Sequence, residues 1–170
     1  KVVLLNFPHN PTGYSPTKKE TDEIVQAIKG CGKKVVVFLD EAYFGFFYEE
    51  DTYKESMFSK LSGLDENVMA VKLDGFTKEA FAWGLRVGFI TFGYKGIESS
   101  VSEALEDKAG GLVRGTISNV STTSQKMAIN ALKDPDFVPQ VSEKEQILKK
   151  RYDLVKQEAG KYDSFEVMPF

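Results

Sequence analysis

The chain has 170 residues, 42% hydrophobic and 28% charged, with a formal net charge of −3. That is an ordinary globular composition with room for a sizeable core. The two signs are interspersed and form no basic stripe, which excludes a nucleic-acid-binding face, and no apolar run approaches the ~20 residues that span a bilayer. One cysteine, Cys31, excludes an internal disulfide and fits a reducing compartment, so a cytoplasmic setting is expected. His9 is the only histidine, and no His/Cys cluster suggests a metal.

Val2 to Phe7 is a continuous apolar run, as in a strand buried on both faces. It ends in a turn by composition, Pro8-His-Asn-Pro-Thr-Gly13. A helix follows, started by Ser15 with Pro16 or by Thr17 with Glu20 as a capping box. Ile24, Ala27, Ile28 and Cys31 form its apolar face, and Gly30 and Gly32 end it. Val35 to Leu39 is a second buried strand, rich in β-branched residues and ending at Asp40. Phe44 to Tyr48 is aromatic and irregular, and Glu49-Glu-Asp51 reads as a solvated acidic loop. Ser56 to Leu61 suggests a short helix, Val68 to Leu73 a third strand and Val87 to Phe92 a fourth. Beyond it, Ile97 to Ala109 reads as a helix broken at Gly110-Gly111. Thr122 to Leu132 reads as another, stopped by Asp134-Pro135. Val141 to Tyr162 is a long charged helix with Ile147, Leu148, Tyr152 and Val155 as its stripe.

Strands alternating with helices indicate an α/β fold of three layers around a largely parallel sheet. In such sheets ligands bind at the carboxyl ends of the strands. Asn10, Asp40 and Lys78 each follow a strand, so all three reach one edge. Arg86 precedes the fourth strand and reaches that edge only if the strand runs antiparallel. The segment between strands three and four is also short for a parallel crossover. One antiparallel strand is therefore expected.

The stretch Lys72 to Gly88, KLDGFTKEAFAWGLRVG, carries the most chemistry. Small and aromatic residues (Gly75, Phe76, Ala80, Phe81, Ala82, Trp83, Gly84) flank Lys78 and argue against an outer face. A lysine among apolar groups loses hydration and can attack a carbonyl to form a Schiff base. Arg86 offers a planar fork suited to phosphate, and the glycines beside it admit a ligand close to the backbone. An amine near a phosphate anchor points to a phosphorylated aldehyde, pyridoxal 5′-phosphate being the obvious one.

The ordered set Asn10-Pro-Thr-Gly13, Asp40-x-x-Tyr43 and Lys78 with Arg86 eight residues on resembles the fold-type-I pyridoxal-phosphate enzymes. More narrowly it is similar to the class I/II aminotransferases, from about Val2 to Phe92 by motif and more loosely beyond. The resemblance implies an aminotransferase moving an amino group between an amino acid and a 2-oxo acid. Lys78 would form the Schiff base and move the proton. Asp40 would pair with the pyridine nitrogen. Tyr43 and Asn10 would hydrogen-bond the phenolic oxygen, with Asn10-Pro11 often cis in the family. Arg86 would bind the phosphate. The family often has a serine three residues before the lysine; this chain has Gly75, and Thr77 stands in as the hydroxyl. Arg114, just before Ser118-Asn119, resembles an arginine that enters a partner subunit's site and binds a substrate carboxylate, which implies a homodimer with Ser118 or Asn119 at its interface. Each residue also has a plain structural reading: surface lysine, strand-end Asp, packed aromatic, turn Asn, helix-start Thr, surface loop Arg. Glu41, Trp83 and His9 are read as structural.

The chain opens without Met and closes at Phe165–Phe170, a strand-like run. We read residues 1–140 as the later part of a large cofactor-binding domain, and 141–170 as a linker helix with the start of a small domain. Such a piece lacks half the site and is expected to be inactive alone. The same cofactor-holding motifs suit a C–S lyase on this scaffold, and the chain alone also suits a non-catalytic fragment.

Overall fold

A computed structural model describes residues 1–164 and Val167. Ten elements follow in order: β1 (Val2–Asn6), α1 (Lys18–Lys29), β2 (Val35–Asp40), α2 (Phe58–Leu61), β3 (Val68–Gly75), α3 (Phe76–Glu79), β4 (Gly88–Tyr94), α4 (Ser99–Thr116), α5 (Thr122–Lys133) and α6 (Phe137–Ala159). The strand-like run expected at Phe165–Phe170 lies outside the described residues apart from Val167.

The strands form one sheet in the order β1-β2-β3-β4. β1 pairs parallel with β2, and β2 parallel with β3. β4 runs antiparallel to β3, from Met69 opposite Tyr94 to Gly75 opposite Gly88. The short connection explains the direction: it is too brief to return the chain to the start of β3. The sheet is thus mixed and mostly parallel, with one antiparallel pair.

The core lies on one face of the sheet. Val35, Val37 and Leu39 alternate inward from β2, joined by Val68 and Ala70 of β3, Val25 and Ile28 of α1, and Met57 and Leu61. Thr17 caps α1 through the capping box with Glu20, and Gly30 closes it. The buried face of α1 is Thr21, Val25 and Ile28, whereas Ala27 is exposed. The expected stripe was displaced because a polar residue, Thr21, is buried at its start. α2 packs so closely on β4 that a Cβ at Gly93 would lie 2.8 Å from the Phe58 ring.

Three further expectations need correction. β1 is buried on one face only. Val3 and Leu5 pack on the core, but Val2 and Leu4 are 70% and 65% exposed on the other side of an edge strand. α4 passes straight through Gly110 and Gly111 to Thr116. Neither glycine adopts the positive φ of a helix-ending turn. α6 starts at Phe137, earlier than expected, and carries Pro139 in its first turn, where a missing N–H costs little.

Candidate active site

Asp40 at the end of β2 lies in register with Leu73, two residues before β3 ends at Gly75, so the residues that follow each strand emerge at one edge. A cleft of about 500 Å³ opens there, lined by Asp40, Ala42, Asp74, Thr77, Lys78, Trp83 and Arg86 among others. Its size suits a small cofactor. Its lining holds two carboxylates, one hydroxyl, one amine and one guanidinium.

Each group has a local cause. The Asp40 carboxylate accepts a hydrogen bond from the Ala42 N–H at 3.2 Å, which turns the chain and leaves the acid at the strand end. Lys78 sits in the single turn of α3 directly after β3, with its Nζ 5.0 Å from the Tyr43 ring centroid. Arg86 has φ 54°, in the left-handed region that non-glycine residues rarely enter. Its Nη1 donates to the Thr77 hydroxyl at 3.5 Å, so the two sit together at the cleft. Backbone strain of this kind gathers at functional sites.

Asn10 lies apart from this cleft. It lines a smaller hollow with Pro8, His9, Pro11, Gly13 and Tyr43. Tyr43 also lines a third pocket with Lys78 and Trp83, and those two residues border the cleft in turn. The Asn10-Pro11 peptide is cis, and Phe7-Pro8 is cis as well. The Asn10 N–H donates to Asn6 Oδ1 at 3.0 Å, while Asn6 Nδ2 donates to the Asp40 carbonyl at 3.3 Å, linking the turn to the end of β2. His9 and Thr12 are 2.7 Å apart through Nδ1 and the hydroxyl, a contact within the turn.

Arg114 is not on a loop. It lies in the last turn of α4, exposed, and donates to the Ser118 carbonyl and hydroxyl at 3.4 Å each. It does not line the Lys78 cleft. Ser118 has φ 67°. The expectation that the Lys78 segment avoids the outer face is corrected in part: Phe76 is 6% exposed, but Trp83 is 59% exposed. The acidic loop is not fully solvated either. Glu49 is half-buried and accepts from Tyr152 Oη and Lys156 Nζ of α6.

A partly buried ionic cluster beside the cleft escaped the sequence reading. Glu41, 5% exposed, accepts from Ser56 Oγ at 2.6 Å and lies 3.8 Å from Lys72 Nζ. Lys72 also pairs with Asp74. Burial pushes the Glu41 carboxyl up, against the Ser56 hydrogen bond and the Lys72 charge. Burial first, and the Asp74 charge second, raise Glu79 to about 7. Burial opposes the Lys72 charge, but the Asp74 hydrogen bond and the charges of Asp74 and Glu41 prevail and raise it. Charges at alternate strand positions such as 72 and 74 were the available signal, and their partner at 41 is visible only once β2 and β3 pair.

The sheet order thus brings a lysine, carboxylates and a guanidinium together at one strand edge. The chain matches the family model "Aminotransferase class I and II" over residues 1–169 and belongs to that family. It is 28% identical over 167 residues to an aspartate aminotransferase of Sulfolobus acidocaldarius, covering 98% of this chain and 37% of the relative. It is 33% identical over 137 residues to histidinol-phosphate aminotransferase 2 of Oceanobacillus iheyensis, covering 81% of this chain and 32% of the relative. The solved aspartate aminotransferase of Thermotoga maritima superposes with a TM-score of 0.74 at 26% identity, over 99% of this chain and 40% of that one. The chain therefore spans less than half the length of the relatives it matches. Aminotransferases of this family use pyridoxal phosphate. Among the described residues no helix is long and apolar enough to cross a membrane.

Proposed function

We propose that this chain is the cofactor-holding part of an aminotransferase that exchanges an amino group between an amino acid and a 2-oxo acid. The observation that carries the reading is the cleft that Asp40, Thr77, Lys78 and Arg86 share, with Tyr43 against the lysine. The donor set suits pyridoxal phosphate group by group: an amine for the aldehyde, a carboxylate for the protonated ring nitrogen, and a guanidinium with a hydroxyl for the phosphate. When bound, the cofactor supplies an electron sink for the substrate Cα.

This chain's own residues supply the rest. Lys78 would hold the cofactor through its amine and would move the proton at the substrate Cα. Asp40, fixed by the Ala42 N–H, keeps the ring nitrogen protonated. Tyr43 and Asn10, which line one hollow, would direct hydrogen bonds to the phenolic oxygen. Arg86 and Thr77 orient the phosphate. Arg114 serves the neighbouring subunit of a homodimer, where it reads a substrate's second carboxylate, with Ser118 and Asn119 at the interface. On this reading residues 1–140 belong to the large domain and 141–170 lead into the small one.

Absorbance after adding pyridoxal phosphate tests the reading. A band bleached by borohydride, present with Lys78 and absent in Lys78→Ala, is expected. A band that survives Lys78→Ala would overturn the assignment of the lysine.

A further inference from the structure

A cluster whose charges do not cancel lies beside the cleft. Glu41, Asp74 and Glu79 meet a single ammonium, Lys72. Three carboxylates against one ammonium leave two negative charges uncompensated. Ser56 relieves Glu41 with a hydrogen bond at 2.6 Å. Asp74 Oδ1 and Glu79 Oε1 are both buried and have no hydrogen-bond partner among the described residues. Buried like charges are costly, and the ordinary relief is to keep a proton.

The cluster's place in the chain gives this consequence. Glu79 follows Lys78 in the single turn of α3, Asp74 precedes that turn on β3, and Glu41 follows Asp40. Each acid is thus one short step along the chain from a cleft residue. Asp74 lines the cleft itself. α3 is one turn with no side-chain N-cap: the Phe76 N–H donates to the Val87 carbonyl, the Ala80 and Phe81 N–H groups bond back within the turn, and the Gly75 N–H favours an ionised Glu79 but is outweighed by burial and the Asp74 charge. Phe76 anchors the buried side, stacked on Phe137 of α6 at 5.7 Å.

We propose that Glu79 is a positioning residue, whose partly buried carboxyl among Asp74, Lys72 and Glu41 fixes the α3 turn that presents Lys78. A protonated Glu79 removes one uncompensated charge beside Asp74 and gives the cluster a donor. Ionised, it repels Asp74 and loosens the turn. The charged groups that act on it are Asp74 and Lys72 from β3 and Glu41 from the segment after β2. Because burial raises its carboxyl from 4.5 to about 7, the order it confers is complete below pH 4.5 and is lost as pH rises through about 7. The inference rests on the reading of Lys78 as the cofactor lysine, but its first test does not.

Amide hydrogen exchange of the α3 turn is measured from pH 5 to 8 on the protein without added cofactor, corrected for the intrinsic rate at each pH. Protection of the Ala80 and Phe81 amides is expected to fall roughly tenfold or more across this range, and to stay flat in Glu79→Gln. Identical profiles in the two proteins would overturn the proposal. Asp74→Asn supplies an independent check should the Gln variant fail to fold. It removes the nearest repulsion, so the fall moves to lower pH, and an unmoved transition counts against the proposal. In a second arm, pyridoxal phosphate is titrated at pH 6 and pH 8 by the Lys78-dependent absorbance band. Weaker binding at pH 8, relieved in Glu79→Gln, supports positioning, whereas an exchange effect without this change reduces Glu79 to a structural acid. Failure of the functional reading shows differently, as a band indifferent to Lys78→Ala.

Discussion

The Lys78 ammonium lies 5.0 Å from the centroid of the Tyr43 ring. The ring meets the lysine with its face, and the residue lines both the pocket beside Lys78 and the Asn10 hollow. The two parts of Tyr43 can therefore be separated by substitution. Tyr43→Phe keeps the ring and removes the hydroxyl, and is expected to weaken pyridoxal-phosphate binding about fivefold, the worth of one hydrogen bond. Tyr43→Ala removes the ring as well and is expected to cost a further two- to fivefold, in the range of a partly exposed cation–π contact. Absorbance titration of both variants gives the ratio, and equal losses would assign the ring no part.

Arg86 makes a different separation possible. Its φ of 54° suits glycine better than arginine. Arg86→Gly is expected to stabilise the fold by about 1 kcal/mol, read as a rise in thermal midpoint. The same variant loses the guanidinium and is expected to bind pyridoxal phosphate at least ~10-fold more weakly. Stability rising while affinity falls is the signature of strain kept for function.

Gly110 and Gly111 lie inside α4, and a Cβ at either would meet nothing within 4 Å. Gly110→Ala and Gly111→Ala are each expected to stabilise the chain by about 0.5–1 kcal/mol through helix propensity alone. Denaturant midpoints check this, and a loss in either variant would mean that the glycine serves close packing.

Glu49 ties the aromatic loop to α6 through Lys156 and Tyr152. These hydrogen bonds, Lys156 first, hold its carboxyl below the usual range. A depressed carboxyl stabilises the fold above its unfolded value of 4.5, and that stability is lost as pH falls through the folded value. Glu49→Gln is expected to cost about 0.5–1 kcal/mol at neutral pH and low salt, and less at high salt. As pH falls below 4.5 and through the depressed folded value the two proteins should converge, as followed by exchange of the amides around Tyr152.

Much of the frame was legible because it rests on short-range signals. Val35 to Leu39 shows its buried strand in five apolar residues, Thr17 and Glu20 show a helix start at fixed spacing, and the brief path from Leu73 to Val87 dictates an antiparallel β4. The convergence of Asp40, Lys78 and Arg86 follows from those three facts. What escaped depends on pairing between distant segments. The exposure of Val2 and Leu4 depends on what lies beside β1, which the run itself does not record. The bond from Glu49 to Lys156 spans 107 positions. The charge cluster joins position 41 to 72, 74 and 79 only after β2 and β3 are in register. Gly110-Gly111 misled for another reason: glycine ends a helix by taking positive φ, and composition does not show whether it does.

Gly75 and Gly88 face each other at the open end of the β3–β4 ladder. A Cβ at 75 would lie 3.3 Å from the Val87 carbonyl oxygen, and one at 88 would lie 3.4 Å from the Asp74 carbonyl oxygen. The obstacle at each position is main chain, which no rotamer change can clear. A serine at 75 would therefore require the facing main chain to give by a few tenths of an ångström. The hydroxyl that meets Arg86 comes from Thr77 instead, two residues along and past the ladder's end. In evolutionary terms the turn is a ratchet. Homologues that regain a side chain at 75 should show a widened β3–β4 end, and those that keep both glycines should keep a hydroxyl at 77.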